Sequence, residues 1–130
     1  MPILTSKSQS KRDIREFYAD VSNESNDFSC SIGKTMIEWI KQIDLAYPNS
    51  IIWGLTSHYH LILMNKESYD QAWLIRLIGS SGSYKIEFLM PEENAPWTNA
   101  YITGETSDFN EAVKMSKLAI SKFKFDFISS

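Results

Sequence analysis

The sequence predicts a single α+β domain, a five-stranded antiparallel meander with two N-terminal helices and one C-terminal helix packed on the sheet. Three observations carry this. Two segments near the N-terminus and one near the C-terminus repeat their apolar residues with helical spacing. Between Ile51 and Glu105 the pattern changes to runs of β-branched, aromatic and aliphatic residues. The links between most of those runs are shorter than the crossover of about a dozen residues that parallel neighbours need. A length of 130 residues suits one core, so residues 1–130 are expected to form one domain.

Taken in order, residues 1–9 belong to a Ser- and Lys-rich stretch that predicts a loose arm. Ser10 then offers a helix cap, with Asp13 at the acidic position of a capping box. Ile14, Phe17, Tyr18 and Val21 follow as one apolar helix face, and Val21 to Ser29 reads as a loop rich in turn formers. A second helix over about 31–46 places Ile32, Met36, Ile37, Trp39, Ile40 and Ile43 on one broad stripe. Pro48 and Asn49 end it, because proline removes a donor and restricts the residue before it.

Strands are predicted at Ile51 to Thr56, Tyr59 to Met64, Gln71 to Ile78, Ser83 to Met90 and Ala100 to Glu105. In the fourth, Tyr84, Ile86, Phe88 and Met90 alternate with Lys85, Glu87 and Leu89, giving one buried face and one partly wet face. The helices are expected to cover one face of the sheet and leave the other partly available. Asp108 and Glu111 form an acidic capping box for the last helix, whose inner stripe is Phe109, Val113, Ser116, Ile120 and Phe123. From Phe123 to Phe127 the period shortens; the tail is either a frayed helix end or a short added strand, and the alternation favours the strand. Trp39, Trp53 and Trp73 read as core.

Composition narrows the function classes. With 43% hydrophobic and 22% charged residues the chain is not of a disordered type. No apolar run approaches the roughly 20 residues that span a bilayer, and MPILTSKSQSKR has no long apolar segment of a secretory signal. One cysteine, Cys30, cannot form an internal disulfide, which fits a reducing compartment. A net charge of −3 argues against general affinity for nucleic acid, which depends on phosphate neutralisation by Lys and Arg. The expectation is a cytoplasmic protein with no membrane and no nucleic-acid partner, monomeric until it meets its partner.

Three motif fragments bear on catalysis. SIGKT (Ser31 to Thr35) ends like a phosphate-binding loop, but the required first glycine is Phe28 and the preceding segment is polar, so the fragment is set aside. His58 and His60 have strand-face spacing, but a metal needs a third or fourth ligand, which Glu87 or Glu105 would have to supply. Such a pair on an exposed strand is ordinarily polar surface, and no metal or other cofactor is expected. Cys30 before a helix, followed by a histidine on an antiparallel sheet, is the order used by papain-like amidases. FSCSIG resembles the cysteine-bearing helix start of the bacterial cell-wall peptidases of that class. It departs from them at Ser29, where the family carries an acid, and at Ile32, where it carries a glycine. A Cys–His hydrolase using Cys30 with His58 or His60 is therefore the alternative. A binding module with an apolar pocket beside Tyr59, His60 and Tyr101 is a third reading.

The most informative feature is charge placement. Between Lys85 and Lys114 there is no Lys or Arg, yet Glu87, Glu92, Glu93, Glu105, Asp108 and Glu111 all fall there. They bracket the Pro91 to Asn99 loop, with Trp97, Asn99 and Tyr101 among them, residue types that anchor interfaces. The plainer explanation is that Asp108 and Glu111 cap a helix, that the other acids are solvated, and that Trp97 is a lid over the core. The functional explanation is a site that attracts a basic partner over long range. On size, acidity and the stretch APWTNAYITGETSDFNEAVKM, the chain resembles the small immunity proteins of bacterial toxin–immunity systems, including those of contact-dependent inhibition. That resemblance implies a non-enzymatic role, a one-to-one complex with a cognate basic toxin domain, such as a nuclease, blocked by occlusion. The contacts expected are Glu92, Glu93, Trp97, Tyr101, Glu105 and Asp108.

Overall fold

The computed structural model describes residues 3–6, 13–67, 74–80 and 82–127. In chain order the elements are β1 (Ile3–Thr5), α1 (Ile14–Ser22), α2 (Asp27–Ala46), β2 (Ser50–Ser57), β3 (His60–Met64), β4 (Ile75–Ser80), β5 (Ser83–Leu89), a 3₁₀ turn at Glu92–Asn94, β6 (Tyr101–Thr106), α3 (Phe109–Ile120) and β7 (Asp126–Phe127). The α+β class and the meander of five antiparallel strands, β2 to β6, are as expected.

The sheet is nevertheless mixed, which corrects the five-stranded antiparallel description. β1 adds to β2 in parallel, pairing Ile3 with Ile52 and Thr5 with Gly54, and β7 pairs antiparallel with Ser50 and Ile51. Part of the expected loose arm is thus a strand. Its outer edge is held by side chains, since the Ile3 N–H donates to Asp44 Oδ1 (3.1 Å) and the Ile3 carbonyl accepts from Arg15 Nη1 (2.9 Å). Arg15 Nη2 also bonds Asp44 Oδ2 at 2.7 Å, so one guanidinium–carboxylate pair joins β1, α1 and α2. The tail resolves in favour of the strand, and the Asn65 side chain donates to the Lys124 carbonyl just before it.

The helices also start elsewhere than expected. Asp13 itself, not Ser10, caps α1, accepting from the Arg15 N–H; Ser10 lies outside the described residues. α2 begins four residues early because Asn26 is its cap, accepting from the Phe28 and Ser29 amides at 2.8 and 3.3 Å. The predicted loop therefore shrinks to the turn after Ser22. In the predicted stripe of α2, Ile37 lies at the rim of the helix and is exposed, while Ile32, Met36, Trp39, Ile40 and Ile43 are buried. β4 begins at Ile75, and residues 71–73 of the predicted strand, Trp73 included, lie outside the described residues.

All three helices lie on one face of the sheet. The core gathers Ile3, Ile52, Leu61, Leu63, Ile75, Leu77 and Ile86 from alternate strand positions against Ile14, Tyr18, Met36, Trp39, Ile40, Ile43, Val113 and Ile120. Two contacts fix how the helices sit. A Cβ at Gly33 would overlap the backbone of α1 at Ser22 and lie 2.7 Å from the Tyr18 carbonyl, so the glycine of SIGKT serves helix crossing. Trp39 Nε1 donates to Ser116 Oγ (2.9 Å), which donates on to the Ala112 carbonyl (2.8 Å), a buried chain tying α2 to α3.

Two stability outcomes follow. Gly33→Ala is expected to lower unfolding free energy by about 2 kcal/mol in urea titration, because overlap with backbone outweighs the gain of about 1 kcal/mol in helix propensity. Ser116→Ala should cost about 1–3 kcal/mol by leaving the Trp39 indole N–H buried without an acceptor, and a thermal melt checks it.

Candidate functional site

Because side chains alternate along a strand, the residues not facing the helices form a second surface. Register lines up Leu55, Ile62, Arg76, Glu87 and Thr103 as one row across β2 to β6. Beside it run Ile78, Lys85 and Glu105 on β4 to β6. At the other side lie Leu4 and Trp53 with Met64, then Leu89 and Tyr101. Trp53, expected in the core, is only half-buried on this face.

Glu87 sits in the middle, 7% exposed. Arg76 Nη1 lies 3.2 Å from its Oε1, and Thr103 Oγ1 donates to its Oε2 at 3.4 Å. The contact with Arg76 is ionic and lacks hydrogen-bond geometry, so Oε1 is buried without a hydrogen bond among the described residues. Glu87 is therefore not an uncompensated surface acid: the strand before it in the sheet supplies the cation that the local sequence lacks. His60 projects from this same face. Burial, then the positive charge of Arg76, push its pKa below the usual imidazole value; Glu87 opposes this, while His58 and Lys85 add to it.

This placement separates the Cys–His candidates. Cys30 is the fourth residue of α2, half-buried, and its N–H is already bonded to the Asn26 carbonyl at 2.9 Å. It thus lacks the free amide of a helix start that the papain-like reading needs. His60 is on the sheet face turned away from the helices, since its neighbour Leu61 is in the helix-side core. His58 is exposed in the two-residue β2–β3 turn, with a positive φ of 57°. No three His, Cys, Asp or Glu side chains among the described residues come together to hold a metal ion. Tyr59, His60 and Tyr101, expected beside one pocket, are not brought together either. Tyr59 packs toward α1, 6.3 Å from the Phe17 ring, and two strands separate β3 from the Tyr101 strand.

The loop before β6 has a different character. Leu89, Met90, Ala95, Trp97, Thr98 and Asn99 line a cleft of about 410 Å³ at the end of β5. Trp97 is 71% exposed, so it is no lid over the core, and Tyr101 is 52% exposed. Asn99 turns the chain into β6 with φ 64°, a conformation asparagine tolerates better than most residues. Glu93 and Glu105 are exposed, and neither has an ion-pair partner among the described residues. The Glu92 side chain lies outside the described groups. Asp108 is also exposed but caps α3, accepting from the Asn110 N–H at 3.0 Å, at the opposite end of β6 from Trp97. The expected contacts thus fall along one edge of the molecule rather than in one cluster.

No protein-family model, curated protein or solved structure matches this chain. Among the described residues no helix is long and apolar enough to cross a membrane.

The depressed His60 pKa sets a sign. The unfolded state, near pKa 6.5, binds its proton before the folded state does. The His60 contribution is therefore fully present above about pH 6.5 and lost as pH falls through the lower folded value. Urea titrations from pH 7.5 to 5 should show stability declining on acidification, with a shallower decline in His60→Gln.

Proposed function

We propose that this chain is a binding protein of the immunity type, which occupies the basic active-site region of a cognate toxin domain, a nuclease being the class that best fits an acidic inhibitor. The observation that carries this is the combination of a projecting Trp97 on a cleft at the end of β5, an exposed Tyr101 at the start of β6, and the exposed Glu93 before the cleft and Glu105 further along β6, neither with an ion-pair partner among the described residues. An exposed tryptophan beside a cleft of mixed polar and apolar lining offers a partner both an apolar anchor and hydrogen-bonding groups, and Trp and Tyr dominate binding energy at interfaces. The carboxylates steer a cationic partner and the aromatics hold it, which separates the two roles kinetically. Asp108 contributes to the local field, but its side chain already serves α3. Such a protein acts by occlusion in the compartment where its toxin would act, here the cytoplasm, and needs no cofactor.

The test is binding to a basic toxin domain, sought in the reading frame next to the one that encodes this chain. Glu93→Lys is expected to slow association about tenfold at low salt, with the difference shrinking at high salt. Trp97→Ala should leave association nearly unchanged and weaken binding by about 2 kcal/mol through faster dissociation. Surface plasmon resonance at two ionic strengths reads both; unchanged constants in both variants would remove the proposal.

A further inference from the structure

The two edges of the sheet are treated in opposite ways. At the β1 edge the strand is three residues long, and the outward N–H and C=O of Ile3 are taken by Asp44 and Arg15. At the other edge β6 runs for six residues, pairs among the described residues with β5 alone, and carries no proline, lysine or arginine. Short strands, basic residues, proline and side-chain cover are the usual means by which proteins blunt an edge. The first edge uses two of them and the second uses none.

Register fixes which groups the β6 edge presents. The Met90 N–H bonds the Ala100 carbonyl at 2.9 Å, so in the antiparallel ladder that follows Ile102, Gly104 and Thr106 direct their backbone groups to β5. The alternate residues Thr103 and Glu105 direct theirs outward. Their side chains lie on the open face, whereas Ile102, 44% exposed, and Gly104, against which Met115 of α3 packs, lie on the helix side. Of the large apolar residues left exposed, Trp97, Tyr101 and Ile102 follow one another along this edge, and the Trp97 cleft opens at its beginning.

We infer that β6 is a docking edge for an extended segment of the partner protein, which adds as a further strand beside Thr103 and Glu105. Its side chains alternate between basic residues on the Glu105 side and apolar residues against Ile102 and Met115. Charge selects this occupant over a second copy of the chain, since two β6 edges paired antiparallel would set the Glu93 end of each copy against the Asp108 and Glu111 end of the other, with Lys85 of β5 beside Glu105. Backbone pairing supplies affinity and the alternating side chains supply choice of partner, as in other strand additions. This inference rests on the partner-binding reading above, and refines it from a surface to a mode of contact.

The probe is a capped hexapeptide alternating lysine and valine, with two controls: the same peptide N-methylated at alternate residues, and a glutamate–valine counterpart. In the free protein, NMR-detected amide exchange should be fast at Thr103 and Glu105 and slow at Ile102, Gly104 and Thr106. Saturating lysine–valine peptide should slow exchange at Thr103 and Glu105 by about tenfold or more, with weaker effects from either control. Thr103→Pro removes an outward donor without removing a ladder bond to β5, and should weaken peptide binding about tenfold. Thr103→Val, which loses the same hydroxyl contact to Glu87 but keeps the N–H, should bind as the parent does. Equal binding by the N-methylated peptide, or by Thr103→Pro and Thr103→Val, would overturn strand addition. Protection that rises with protein concentration in the absence of peptide would assign the edge to a second copy and overturn the occupant. A toxin domain that is weakened by Trp97→Ala but indifferent to Thr103→Pro would leave the partner-binding reading standing and remove only this inference.

Discussion

All three helices cover the same side of the sheet, and that one-sidedness is the constraint from which the remaining features descend. Strand positions of one parity turn towards the helices, so close approach is required where backbones cross. Gly33 admits α1 against α2, and Gly104 leaves room for Met115 of α3. Polar groups trapped in that layer must find partners there, as Trp39 and Ser116 do. Positions of the other parity face away from the helices and satisfy one another across strands. The Arg76–Glu87 pair is the result, with an interior-like carboxylate on a face that no helix covers. The same parity rule puts His60 and Cys30 on different sides of the sheet.

Protection of the sheet is uneven, and the unevenness aligns with the candidate site. Around β1, a single Arg15–Asp44 pair holds the N-terminal strand, the first helix and the second. Thr5 adds to this by donating to Asp13 and accepting from the Ile14 amide, so the start of α1 is joined to the strand as well as to its own cap. Among the described residues nothing comparable covers β6. The aromatic loop before it and the exposed Ile102 within it lie together along this less protected edge.

Charge follows the sheet rather than the chain. An interval free of Lys and Arg in sequence is not free of them in space, because β4 brings Arg76 to Glu87 and the register sets Lys85 opposite Glu105. Glu93, in the turn after β5, and Glu105 are exposed without an ion-pair partner among the described residues, although Lys85 stands across from Glu105, while Asp108 accepts from the Asn110 amide of α3. The exposed carboxylates therefore lie along one edge instead of being spread over the whole interval.

The sequence by itself determined what depends on local period and turn chemistry. The stripe of α2, that of α3 as far as Ile120 (Phe123 lies past the helix end), the capping of α3 by Asp108 and the succession of strands from β2 to β6 were legible, because each is written within a few residues. The prominence of Trp97 and Tyr101 was legible only as residue type. Tertiary structure alone decided the parallel β1, since three residues are too few to show a period and their partners are some fifty positions away. It also decided the start of α2, where Asn26 won the cap over the competing turn formers, and the exposure of Ile37 at the rim of its stripe. Above all it decided which acids have cations beside them and which strand is left at the edge. Both depend on the order of strands across the sheet, a relation between distant segments that no local pattern contains.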